Sequence, residues 1–127
     1  MNAIAKLFLS IGSISGALAV LLGAFGAHGL KNRLSEKMLS NYMTGVEYHF
    51  YHTLALLIVG LIALNYPTRQ LTAAGWAFTL GILLFSGSLY AMALTGHTKL
   101  GAITPVGGLA FIAGWILLAV SVLKSTA

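Results

Sequence analysis

The chain has 127 residues, of which 58% are hydrophobic and 7% charged, with seven basic and two acidic side chains and no cysteine. A soluble domain carries about 25% charged residues, so nine charges on a chain this short exclude a soluble globule, and its apolar content excludes disorder. The mean hydropathy of +0.92 places it in a lipid bilayer.

The remaining totals exclude several chemistries. Without cysteine there is no disulfide framework, thiolate metal site or cysteine nucleophile. Glu36 and Glu47 are the only acids, so the parts for paired-carboxylate hydrolysis or a carboxylate-rich metal cage are missing. The lysines and arginines sit at the edges of apolar runs, where they meet lipid headgroups; the net charge of +5 therefore points to membrane lipids as partners and not to nucleic acid. Neither a metal nor another cofactor is expected, and no enzyme activity.

Uncharged stretches separate Lys6 from Lys31, Glu47 from Arg69, Arg69 from Lys99 and Lys99 from Lys124. Each exceeds the roughly 20 residues a helix needs to cross about 30 Å of hydrocarbon. The runs are continuously apolar and lack the alternation of barrel strands. Residues 1–127 are predicted to form a single all-α domain, a four-transmembrane-helix bundle with an interfacial amphipathic segment between helices 1 and 2.

The first run mimics a signal peptide, with Lys6 ahead of an apolar stretch and small residues at Ala17 and Ala19. Its length reads instead as a membrane span, ending in the glycine cluster Gly23, Gly26 and Gly29. Ser35 is placed to cap the second helix and Glu36 to sit in its first turn. Leu34, Met38, Tyr42 and Val46 recur every four residues, giving an interfacial segment that leads into a span beginning near Tyr48. Pro67 in the Asn65-Tyr66-Pro67-Thr68 turn ends that span. Pro105 fits the first turn of the fourth helix, with about 19 residues left to Leu123; a kink within the helix is the alternative.

In lipid, helices associate through small residues that let backbones approach. Gly12, Gly16, Ala19, Gly23 and Gly26 keep to one stripe of the first helix. Ala74, Ala77, Gly81, Leu84, Ser88 and Ala91 do so on the third, and Gly107, Ala110, Gly114, Leu117 and Ser121 on the fourth. Such seams predict a left-handed bundle with short connections. They exceed what one bundle needs, which predicts a homo-oligomer. Lys6, Arg69 and Lys124 fall on one side and Lys31, Arg33, Lys37 and Lys99 on the other. The cluster in the first loop favours a cytoplasmic location for that loop, with insertion in both orientations as the alternative.

Polar residues at membrane depth are the candidates for chemistry. At about 100° per residue, Gly45, Tyr48, His49, His52, Leu56, Val59 and Ala63 share one face of the second helix, read as the bundle face. Glu47, Phe50, Leu54, Leu57, Ile58, Leu61 and Ile62 share the opposite one, read as the lipid face. His52 then points inward, with His49 and Tyr48 nearer the surface and Glu47 at headgroup level. Three roles compete for the histidines. His52 can tie helices by bonding a backbone carbonyl, Ser86 or Ser88; it can relay protons; or His52 with His49 or His28 can hold haem or a metal. Tyr48, His52, Ser86 and Ser88 form the candidate polar crevice. Trp76, Tyr90 and Tyr66 read as interfacial belt residues, His28 as a helix-end residue, and Lys31, Arg33 and Lys37 as a face for lipid headgroups.

Four motifs in order carry a resemblance: Gly23-Ala24-Phe25-Gly26-Ala27-His28-Gly29-Leu30; Tyr48-His49-Phe50-Tyr51-His52; Phe85-Ser86-Gly87-Ser88-Leu89-Tyr90; and Gly101-Ala102-Ile103-Thr104-Pro105-Val106-Gly107-Gly108 ahead of Gly114-Trp115. Over nearly its whole length the chain resembles the domain of unknown function 423 family, whose eukaryotic relatives include transmembrane protein 256. The resemblance implies a small multi-pass protein of the bacterial inner membrane with no assigned activity. The chain departs from the family pattern at His49, where glutamine is expected, which points away from chelation there and leaves His52 as the better candidate. The expectation is a non-enzymatic oligomeric membrane module; the alternative is a proton-linked transporter or channel for a small solute, built around His52.

Overall fold

Residues 1–125 are described by the computed structural model. Four helices in it are long and apolar enough to cross a membrane. They are α1 (Ala3–Leu30), α2 (Glu36–Ala63), α3 (Arg69–Thr95) and α4 (Thr104–Lys124), the last preceded by a 3-10 turn at Thr98–Ala102. Among the described residues there is no strand.

Local chemistry sets the ends. Asn2, Ser35 and Thr68 each accept a hydrogen bond from the backbone N–H three residues on, at 2.8, 3.1 and 3.1 Å, and so start α1, α2 and α3. Each satisfies a donor that the helix itself leaves open. Gly96 ends α3 with φ +78°, a conformation glycine adopts without steric cost. Pro105 lies in the first turn of α4, where its missing N–H costs nothing, so the kink within the helix does not occur.

The segment after Ser35 forms the first turns of one continuous helix of 28 residues that leads into the second span. Tyr42, Gly45 and Val46 in those turns are buried against neighbouring helices. The α-helical part of α1 ends at Phe25, within the glycine cluster, and Gly26–Leu30 continues it as a π-helical turn.

Helix α2 is the centre of the bundle, with α1 packed on one side and α3 on the other, while α4 packs along α3. The predicted small-residue seams lie at these contacts. On α1, Gly12 faces Leu57, Gly16 faces Thr53, Gly23 faces Val46 and Gly26 faces Tyr42. Between α3 and α4, Gly81 faces Phe111, Gly114 faces Phe78, and Gly107 lies against the backbone of Leu84 and Phe85. Because α2 is flanked on two sides, its buried arc is wider than one face: Val46, Thr53, Ala55 and Gly60 are also buried, while Tyr48 is 37% exposed.

Helix α3 contains a feature that a regular period does not foresee, a π-helical turn at Ile82–Ser86. A π turn inserts one residue into the helical register. Ahead of it Ala74, Phe78 and Gly81 are buried; the turn itself ends on buried Ser86, beyond it Ser88, Leu89, Met92 and Ala93 are buried, and Leu84 of the predicted seam is only half-buried.

Candidate functional site

The buried polar side chains gather around the middle of α2 in two groups. The first is a hydrogen-bonded chain across three helices. Thr53 Oγ1 and Ser15 Oγ are 2.6 Å apart, Ser15 Oγ and His49 Nε2 2.9 Å, and His49 Nδ1 and Tyr90 Oη 2.9 Å. Tyr90 starts from a lower level of α3 but reaches His49 because side chains lean toward the N-terminus of their helix. Its ring also packs on Tyr42, with centroids 5.1 Å apart, and the Tyr42 hydroxyl donates to Leu22 O on α1. Tyr90 is therefore not a belt residue, unlike Trp76 and Tyr66, which are exposed. His49 and Ser15 floor an apolar cleft of about 360 Å³ between α1 and α3, walled by Ile14, Leu18 and Leu83.

The second group is centred on His52. The Trp115 indole N–H donates to His52 Nε2 at 3.1 Å. An indole can only donate, so Nε2 is the acceptor and the ring proton sits on Nδ1. That proton is donated to Tyr48 O one turn earlier, at 2.7 Å. The neutral ring stacks on Phe111, with centroids 3.5 Å apart and planes 8° from parallel. Tyr48, His52, Phe111 and Trp115 line a cavity of about 460 Å³ between α2 and α4.

Ser86 and Ser88 do not join Tyr48 and His52 in one crevice. The π turn aims Ser86 at the glycine gap of α2, where its hydroxyl donates to Gly45 O at 2.6 Å. Ser88 donates to Phe85 O at 2.9 Å and meets Thr104 Oγ1 at 2.6 Å, tying α3 to α4. The partner that sequence reasoning missed for His52 is Trp115. A lone tryptophan within the fourth span was the available signal, since an indole N–H at membrane depth needs an acceptor. His49, set aside as a chelator, is the hub of the longer chain. No group of three or more metal-ligating side chains gathers among the described residues. Lys31, Arg33 and Lys37 are exposed at one end of the bundle, and His28 is exposed at that end too.

This geometry gives an expected result. Trp115→Phe keeps an aromatic ring but leaves buried His52 Nε2 without a donor, a loss of about 1–3 kcal/mol. Unfolding in a graded denaturing detergent measures it; an unchanged midpoint would show that the indole bond does not hold α4 to α2.

Fold and site together define a small polytopic helical membrane protein whose interior polar groups bond one another. The family model described as "Protein of unknown function (DUF423)" matches residues 22–108, and the chain belongs to that family. It is 48% identical to the UPF0382 membrane protein YwdK of Bacillus subtilis over 120 residues, covering 94% of this chain and 98% of the relative. Identity is 48% to the UPF0382 membrane protein SH2409 of Staphylococcus haemolyticus, covering 94% and 97%. It is 46% to the UPF0382 membrane protein of Haemophilus influenzae, covering 93% and 94%. No solved structure matches the chain.

Proposed function

We propose that the protein is a non-enzymatic, self-associating module of the bacterial inner membrane. The observation that supports this reading is where its polar groups are spent. Among the described residues, every buried side-chain nitrogen and oxygen has a hydrogen-bond partner inside the chain. Both ring nitrogens of His49 and of His52 are engaged in hydrogen bonds within the chain. The glycine seams meet within one bundle, so association draws on other surfaces, and α2 carries polar side chains on its outer face. The test is the particle mass in mild detergent and in nanodiscs. A multiple of the chain mass is expected; a single-chain particle at every concentration would overturn the reading.

A second reading, a proton-linked carrier or channel, is favoured by one observation: the Thr53–Ser15–His49–Tyr90 chain borders the α1–α3 cleft. Three hydroxyls and one imidazole supply four donors for three bonds, so the chain can run in either direction by shifting protons along it. Proton flux into liposomes, abolished by His49→Ala and retained by Trp115→Phe, is the expected signature; no flux under any gradient retires the carrier.

A further inference from the structure

Glu47 is a carboxyl group on the outer surface of α2, and its depth follows from the packing. Leu9 lies against Gly60, and Asn2 Nδ2 donates to Ala63 O at 2.7 Å. Lys6 is therefore at the Ala63 end, with Arg69 just beyond the turn. Lys124 is at the same end, because Ser121 Oγ meets Thr68 Oγ1 at 2.8 Å. From this cationic end to Glu47 is about 24 Å along α2, short of the roughly 30 Å of hydrocarbon in a bilayer. A layer bounded by those cations contains Glu47 and, one turn deeper, Tyr51.

Hydrocarbon offers no hydrogen bond to such groups, and ionisable side chains at this depth normally face protein. Among the described residues neither the Glu47 carboxylate nor the Tyr51 hydroxyl has a partner, and Tyr51 is 54% exposed. The outer faces of the other helices at the same level are apolar: Val20 on α1, Leu83 on α3 and Leu109 on α4. At this level the polar stripe is confined to α2. Toward the helix start it continues through Thr44 and Ser40, a small-xxx-small pair that lets a second helix come close.

The stripe is also complementary to itself. A two-fold interface sets one patch against its own copy, so the patch must carry both halves of each bond. Glu47 supplies the acceptor and Tyr51 the donor, and a tyrosine side chain leans toward the N-terminus of its helix, which is toward the level of Glu47. The Tyr48 and Tyr51 ring centroids, 5.6 Å apart, fit that lean.

We propose that two copies of this chain, inserted in the same orientation, meet along this stripe of α2. Ser40 and Thr44 give the close approach, and the Tyr51 O–H of each copy donates to Glu47 of the other. This names the interface of the self-association proposed above and rests on it.

The natural absence of cysteine makes the test direct. Single variants Thr44→Cys, Val20→Cys, Leu83→Cys and Leu109→Cys, all on the outer surface, are oxidised in native membranes. A disulfide-linked dimer is expected for Thr44→Cys alone, since bridging needs Cα atoms within about 7 Å. Cross-linking at the other positions with Thr44→Cys silent overturns the α2 interface and leaves self-association standing. Silence at all four with a single-chain particle mass overturns both. In the same detergent Tyr51→Phe and Glu47→Leu each raise the dimer dissociation constant about ten-fold, two bonds being lost per dimer. The double variant is no weaker than either, because both remove the same bonds. Unchanged constants overturn the pairing.

Discussion

Gly107→Ala is expected to destabilise the fold by about 2 kcal/mol, while Gly108→Ala beside it folds at least as well as the parent. A Cβ at position 107 falls on the Phe85 backbone, 2.7 Å from its Cα and 2.8 Å from the Leu84 carbonyl carbon. Backbone atoms cannot rotate aside as a side chain can, so α3 and α4 must separate. Two effects oppose each other. Replacing glycine by alanine within a helix gains up to about 1 kcal/mol, whereas overpacking costs about 1–3 kcal/mol or more. At 107 the clash wins and about 2 kcal/mol is lost. At 108 the nearest atom is Phe85 Cδ2 at 3.9 Å, so the helical gain acts alone. Denaturing-detergent midpoints of the two variants decide it, and equal midpoints would refute the close approach of these helices.

The second large effect is expected at His49. His49→Ala removes one end of two hydrogen bonds, strands the Tyr90 hydroxyl, leaves Ser15 with Thr53 alone, and opens a void between three helices. A stranded buried group costs about 1–3 kcal/mol and the lost volume adds to that, so a loss of about 3 kcal/mol follows. His49→Gln restores a donor and an acceptor on a more flexible side chain of similar reach and costs about 1 kcal/mol. Tyr90→Phe breaks a single bond and sits close to that smaller value. The ranking Ala below Gln and Phe is the informative result. A His49→Ala protein as stable as the parent would mean that the imidazole does not bind the three helices together.

Much of this architecture is written in the amino-acid order. The gaps between charges locate four crossings because charge is expelled from hydrocarbon, and glycine spacing marks where α1 meets α2 and α3 meets α4 because close backbones leave no room for a Cβ. The π turn in α3 is not written there. A repeat of about 3.6 residues has no term for an inserted residue, and that insertion turns Ser86 toward Gly45. The partners of the histidines are equally hidden, since they lie on other helices: Ser15 and Tyr90 for His49, Trp115 for His52. Tyr90 was legible only as an aromatic near a span end, and a reach of one turn toward its N-terminus carried it inside. The outward face of α2 was legible in part. Periodicity put Glu47 there, but its depth needed the distance to Lys6, Arg69 and Lys124.

The glycine seams divide the chain into two hairpins, α1 with α2 and α3 with α4, joined at Pro67. The Ser15–Thr53 bond and the Ser88–Thr104 bond each lie within one hairpin, so each half can settle as soon as its own pair of helices is in the bilayer. The bonds from Ser86 to Gly45, from His49 to Tyr90 and from Trp115 to His52 bridge the halves, and none can form before the second hairpin has been delivered. Two of the three bonds that join the halves are made by imidazoles, so the link between the hairpins rests largely on His49 and His52.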